Sequence, residues 1–273
     1  MTDRYAVVGN PIAHSKSPLI HSTFARQSGQ DMEYGAIEPG PAAFNSAVDT
    51  FRQAGGRGIN ITAPFKLAAF AYASHRQPRA RLAGASNCLK FEGDRVVAEN
   101  FDGVGLVADV QNNLGVSLRG RRVLMLGAGG AVRGALLPFL EQQPVEFVIA
   151  NRDVAKARKL FEEFAPFGTF AAGGYDDIGS RPFDVVLNAT SASLRGELPP
   201  VPSSAFSTGC VAYELAYGKG LTPFLQLAEK AGAGKLADGV GMLVEQAAEA
   251  FLWWRGVRPQ TSELIKRLTV PLL

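Results

Sequence analysis

Cysteine and histidine are scarce in this chain of 273 residues, with two of the first and three of the second. Cys88 and Cys210 lie far apart and in no C-x-x-C pattern. That argues against a disulfide framework and fits a reducing compartment. His14, His21 and His75 join no His/Cys/Asp cluster with metal-ligand spacing, so no metal is expected. No apolar run approaches the roughly 18 residues of a membrane helix. The N-terminus shows no basic stretch leading into a long apolar one, so no signal peptide and no membrane contact are expected. The expected location is the cytoplasm. An excess of one charge sign is also missing. The net charge is +3, and basic residues such as Arg119, Arg121 and Arg122 form no stripe. A nucleic-acid partner is therefore not expected. Internal repeats and low-complexity tracts are absent too.

What is present is an ordinary globular composition, 47% hydrophobic and 19% charged, in a chain long enough for one large or two modest domains. Short β-rich apolar runs alternate with helical patterns. Tyr5–Val8, Met32–Ile37 and Gly58–Ile61 read as strands, separated by helices over Pro18–Gln27 and Pro41–Ala54. Ser17 reads as the cap of the first helix, with Pro18 in its first turn and Gly29 beyond its end. Lys66–Ala73 reads as a helix. Cys88–Phe91 and Val96–Ala98 read as a hairpin around Gly93-Asp94. After a helix over Val104–Leu114, a second series begins at Arg122. Its strands are Val123–Leu126, Val145–Ala150, Asp184–Asn188 and Cys210–Glu214. Its helices are Gly130–Gln142, Val154–Phe164 and Pro223–Ala231, and Gly241–Trp254 is helical at the end. Such alternation predicts parallel α/β sheets, and two successive series predict two domains joined near residue 103.

Gly127-Ala128-Gly129-Gly130-Ala131 follows an apolar strand and opens a helix. Glycines let the backbone approach a pyrophosphate, and a helix N-terminus offers free N–H groups. Val132 replaces the third glycine of a full G-x-G-x-x-G. The next strand ends at Asn151-Arg152 rather than at the acidic residue usual for a ribose 2′-hydroxyl. Arg152 has the planar fork that binds a 2′-phosphate, and Lys156 adds charge one turn later, which favours NADP over NAD. Asp153 fits only if it caps the helix and points away. Without a ligand, the same residues would make a tight turn and a solvated helix start.

The N-terminal half places polar groups where a core would not want them. Ser15 and Ser17 sit in the loop His14-Ser15-Lys16-Ser17-Pro18, where two hydroxyls suit a carboxylate at a helix N-terminus. Asn60 and Thr62 end an apolar strand, two residues apart and so on one face. Lys66, Asn87 and Asp102 follow. Alone, Lys66 reads as a surface lysine and Asp102 as a helix cap.

Taken together, the motifs carry a resemblance. Gly9-Asn10-Pro11-x-x-His14-Ser15-x-Ser17-Pro18, Asn60-Ile61-Thr62-x-Pro64-x-Lys66, Gly84-Ala85-x-Asn87 and Asn100-x-Asp102-Gly103 resemble the substrate motifs of the shikimate dehydrogenase family. The glycine loop with Arg133, Asn151-Arg152, Asn188-Ala189-Thr190-Ser191, Tyr213, Tyr217 with Lys219-Gly220-x-Thr222-Pro223, and the stretch from Asp238 through Gln246 to Ala248 resemble its cofactor half. The resemblance implies an α/β fold in two parts. An N-terminal α/β substrate-binding domain (1–103) would face a Rossmann-like NADP-binding domain (104–238), with C-terminal helices (239–273) returning to the first domain. It implies reversible reduction of 3-dehydroshikimate to shikimate with NADPH, with no partner beyond small molecules and a monomer or homodimer. It assigns catalysis to Lys66 and Asp102. Ser15, Ser17 and Tyr217 would hold the substrate carboxylate, and Asn60, Thr62, Asn87 and Gln246 the ring hydroxyls. The cofactor would lie against Gly127, Ala128, Gly129, Gly130, Ala131, Asn151, Arg152, Lys156, Thr190, Leu215, Gly239 and Met242.

Two residues depart from the family pattern. Phe101 and Cys88 stand where threonine is usual. A lost hydroxyl weakens discrimination among ring hydroxyls, unless Phe101 points into a core between the domains. The chain therefore reads as a shikimate dehydrogenase, with two alternatives open. One is a quinate/shikimate enzyme of broader substrate or cofactor use. The other is a binding paralogue of low turnover.

Overall fold

The computed structural model describes residues 2–272, which divide into two compact units. The first comprises the chain up to Gly105 together with Val244–Leu264, and the second comprises Leu106–Leu243 and the residues from Ile265.

The first unit is built on β1 (Asp3–Val8), α1 (Ser17–Ser28), β2 (Met32–Ile37), α2 (Phe44–Gln53), β3 (Gly56–Ile61), α3 (Lys66–Tyr72), β4 (His75–Arg76), α4 (Pro78–Ala83), β5 (Cys88–Glu92), β6 (Arg95–Glu99) and α5 (Asp102–Ala108), which runs on into the second unit. Its six strands lie in the order β2-β1-β3-β5-β6-β4. β1 pairs parallel with β2 and β3, and β4 with β6, while the hairpin expected around Gly93-Asp94 is present. β5 and β6 are antiparallel because the Gly93 turn returns the chain directly as a hairpin, and β3 also pairs antiparallel with β5. Helix α1 ends as expected, with Gly29 left-handed and its N–H donating to the Ala25 carbonyl. Its start differs: Lys16 is the cap position, Ser17 is already helical, and the Ser15 hydroxyl accepts from the Ser17 N–H at 3.3 Å.

The second unit contains β7 (Arg122–Leu126), α6 (Gly130–Glu141), β8 (Glu146–Ala150), α7 (Val154–Phe164), β9 (Ala171–Gly173), β10 (Phe183–Asn188), β11 (Phe206–Glu214), α8 (Pro223–Lys230) and β12 (Lys235–Asp238). All its strand pairs are parallel, in the order β12-β11-β10-β7-β8-β9. That is a doubly wound sheet whose order reverses between β7 and β10, where ligands of such sheets bind. A five-residue π-helical turn, Asp109–Asn113, follows α5. Helix α9 (Val240–Arg255) starts in the second unit and continues in the first, and α10 (Ser262–Leu268) is likewise shared. The chain passes from the first unit to the second after Gly105 and back after Leu243, and the last residues belong with the second unit, where Leu272 packs against its core cluster.

Each unit has its own core. In the first, Val8, Ile59, Ile61, Phe65 and Leu89 are buried together. In the second, Leu124, Leu126, Val186, Ala212 and Phe224 are.

Candidate active site

In the first unit, the polar residues singled out in the sequence converge at the C-terminal ends of β1 and β3. Lys66 opens α3, and its Nζ lies 2.5 Å from Asp102 Oδ2. Asp102 opens α5, and its N–H donates to Asn100 Oδ1 at 3.1 Å, an asparagine turn just before the helix that fixes where the carboxylate begins. The other carboxylate oxygen accepts from Asn87 Nδ2 at 2.8 Å. Asn87 is buried and its amide is fully used. It also donates to Gln246 Oε1 at 3.1 Å and accepts the Phe101 N–H at 2.9 Å. Asn60, buried on β3, accepts the Tyr34 hydroxyl at 2.7 Å and faces the Asn87 carbonyl at 3.4 Å. Thr62 lies one residue beyond β3 and is half-buried. A Cβ on Gly9 would come within 2.4 Å of its methyl, so the two loops touch only because residue 9 is glycine.

Asp102 is mostly shielded while Lys66 is about a third exposed (side chains 14% and 36%). The ammonium is thus fixed by a mostly shielded carboxylate and remains partly open to solvent. A polarised donor held this way suits an oxygen that gains negative charge.

Phe101 is buried in a cluster of the first unit with Tyr5, Cys88, Ala250 and Trp254. Its ring meets Trp253 edge to face at 5.6 Å and lies under the Arg79 guanidinium, also at 5.6 Å. Cys88 is fully buried beside it. The two unusual residues therefore complete one apolar cluster.

In the second unit, a cavity of about 420 Å³ opens at the sheet's switch point. Gly127, Ala128, Gly129, Asn151, Arg152, Lys156 and Thr190 line it. Gly127 has φ +112°, and a Cβ there would lie 3.1 Å from the Ala189 carbonyl oxygen. Gly129 caps α6 with no side chain, and no atom lies within 4 Å of the Cβ positions of Gly129 or Gly130. That open cradle of N–H groups fits a pyrophosphate. Asp153 caps α7, accepting from the Lys156 N–H at 3.3 Å, but it also lines the cavity, with Lys156 Nζ 3.7 Å from its carboxylate, so the cap is present and the carboxylate does not turn away from the site. Beneath Thr190, a buried Glu214 accepts from Asn188 Nδ2 (2.9 Å), Ser193 and Thr222 (3.3 Å). Burial raises its pKa, and these donors oppose the rise.

Gly130 and Ala131 form the start of α6, and Leu215, Gly239 and Met242 lie away from the cavity wall. A Cβ on Gly239 would stand 2.1 Å from the Leu215 carbonyl oxygen, so these two backbones are in contact. The Met242 N–H donates to the Tyr213 hydroxyl at 3.2 Å, and Tyr213 donates to Asp109 at 2.6 Å. Tyr217 is exposed. The sequence reading missed Tyr175 and Arg195 on the cavity wall and Tyr34 beside Asn60. Arg195 is held by Ser191 (3.0 Å) and Glu197 (2.7 Å). It stands four residues past the last motif, with no pattern to mark it.

Comparison with known proteins agrees with this geometry. Residues 7–89 match the shikimate dehydrogenase substrate binding domain, residues 109–195 the shikimate / quinate 5-dehydrogenase model, and residues 239–269 the shikimate 5′-dehydrogenase C-terminal domain. A shikimate dehydrogenase (NADP(+)) of Nitrosospira multiformis is 54% identical over 98% of both chains. The crystal structure of an Ael1 enzyme from Pseudomonas putida is 60% identical, covers 100% of both chains and superposes with a TM-score of 0.96. Shikimate 5-dehydrogenase from Thermus thermophilus, solved in complex with NADP(H) and shikimate, is 31% identical over 97% of this chain and 99% of that one, with a TM-score of 0.85. Among the described residues, no group of three or more His, Cys, Asp or Glu side chains is placed to hold a metal ion, and no helix is long and apolar enough to cross a membrane. Motifs, fold and full-length similarity agree that the chain belongs to the shikimate dehydrogenase family.

Proposed function

We propose that this chain is an NADP-dependent shikimate dehydrogenase that interconverts 3-dehydroshikimate and shikimate. The observation that carries the proposal is the Lys66–Asp102 contact at 2.5 Å, held from behind by Asn87. NADPH, when bound, supplies the hydride. Reduction leaves negative charge on the former carbonyl oxygen, which needs a positive neighbour and a proton. Lys66 provides both. Asp102 orients the ammonium and accepts a bond from the neighbouring ring hydroxyl. Asn87 has no free N–H group, so it holds Asp102 in place and meets a substrate hydroxyl by taking over its bond from Gln246. Ser15 and Ser17 bind the carboxylate, and Asn60 and Thr62 complete the ring contacts. In the oxidative direction, the Lys66–Asp102 pair accepts the hydroxyl proton.

On the cofactor side, the cradle at Gly127–Gly130 takes the pyrophosphate. Arg152 and Lys156 take the 2′-phosphate, Asn151 and Thr190 flank the nucleotide, and Leu215, Gly239 and Met242 border the nicotinamide. The burial of Phe101 speaks against a binding-only paralogue, because the substitution does not place an apolar ring among the substrate ligands. The test is the rate of NADP reduction by shikimate in the wild-type chain and in Lys66→Met. The variant should keep its KM for shikimate within a few-fold and lose about 10²–10⁴ in kcat. A variant as fast as wild type would remove Lys66 from the chemistry.

A further inference from the structure

Tyr34 lies on the edge strand β2, outside every motif that marks the site. Its ring stacks on His21 of α1, with centroids 4.2 Å apart and planes within 4°. His21 is fully buried, and Phe24, Phe251 and Trp254 surround it at 5.5 to 6.3 Å. Neither of its ring nitrogens has a hydrogen-bond partner. It is thus a flat neutral platform for the Tyr34 ring. The Tyr34 hydroxyl donates to Asn60 Oδ1 at 2.7 Å.

We infer that Tyr34 is a positioning residue for substrate, fixing through its hydroxyl which way the Asn60 amide faces. The inference rests on the proposed role of Asn60 as a ligand of a ring hydroxyl. An asparagine amide has a donating and an accepting end, and a buried site sets which is which by what it bonds to. The donated hydrogen of Tyr34 ties down the oxygen end. The nitrogen end then faces the Asn87 carbonyl and keeps an N–H for the substrate. Without the hydroxyl, Oδ1 loses its donor, and the amide can turn its acceptor toward the ring. Tyr34 touches neither substrate nor cofactor in this account.

The test is steady-state kinetics on Tyr34→Phe, Asn60→Ala and the double variant, using shikimate and NADP. Tyr34→Phe removes one oxygen and keeps the stacked ring, so the fold is retained. Its KM for shikimate should rise about tenfold, the scale of a buried acceptor left without its donor. Its kcat and its KM for NADP should stay within about twofold of wild type. The double variant should be no worse than Asn60→Ala alone, since the hydroxyl acts only through that amide. An unchanged KM for shikimate in Tyr34→Phe, or losses that multiply in the double variant, would overturn the inference. The wild-type chain run in parallel separates the two levels. If it does not oxidise shikimate, the proposed function falls and the inference with it; if it does and Tyr34→Phe matches it, only the inference falls.

Discussion

Phe101 matters at the scale of single residues because it sits in a substrate motif yet serves the core. Its ring is buried against Trp253 and Arg79. Replacing it with the family's usual threonine should cost about 3 kcal/mol of stability, the range for emptying a buried phenylalanine site. The KM for shikimate should stay within a few-fold. Denaturant unfolding and kinetics on Phe101→Thr check both halves, and a large KM effect at unchanged stability would put residue 101 in the pocket. His21 gives a prediction in pH. Burial drives its pKa from 6.5 down to about 3. The folded state therefore stays neutral where the unfolded state takes a proton. The contribution of His21 to stability is complete above pH 6.5 and is lost as the pH falls toward 3. Across that window the stability of the wild type should fall by up to about 1.4 kcal/mol per pH unit more than that of His21→Phe. Parallel slopes would contradict a neutral buried His21.

At the scale of elements, α6 and α7 carry the cofactor argument. The α6 N-terminus presents bare backbone at Gly129, and α7 begins with Arg152, Asp153 and Lys156 around its cap. Arg152→Ala should raise the KM for NADP about tenfold to a hundredfold, the worth of a charge-assisted phosphate contact, and change the KM for NAD far less. Equal losses on both cofactors would place Arg152 on the part they share. The long strands and their helices were legible because burial imposes a period and caps mark the ends: Met32–Ile37 needed no revision, and Asp153 and Thr222 cap as their residue types suggest. What escaped was short or set by partners. β4 has two residues and β9 three, too few to show a period, and β4 is a strand only because β6 lies beside it. The antiparallel pairing of β3 with β5 is likewise a tertiary fact. The site was legible where several polar residues share one motif. Tyr34 and Arg195 stand alone in the sequence and meet their partners only in the fold.

At the scale of the whole molecule, the chain leaves the first unit at Gly105 and re-enters it at Val244, so α5 and α9 belong to both units. The motifs Asn100–Gly103 and Asp238–Ala248 lie near these two crossings. They could not show that the last residues rejoin the second unit, since that depends on contacts such as partly buried Leu272 against its core. Ligand linkage applies at this scale. NADP at about 100 times its Kd should stabilise the protein by about 2.7 kcal/mol, and the same concentration should do much less for Arg152→Ala. Thermal unfolding with and without cofactor reads the difference.

The most direct test of the central claim is absorbance at the reduced nicotinamide band, with shikimate or quinate as substrate and NADP or NAD as cofactor, in all four combinations. The account predicts rapid reduction with shikimate and NADP, weaker signals in the other three, and none in any of them for Lys66→Ala. A folded wild-type chain that reduces no cofactor with shikimate would contradict it.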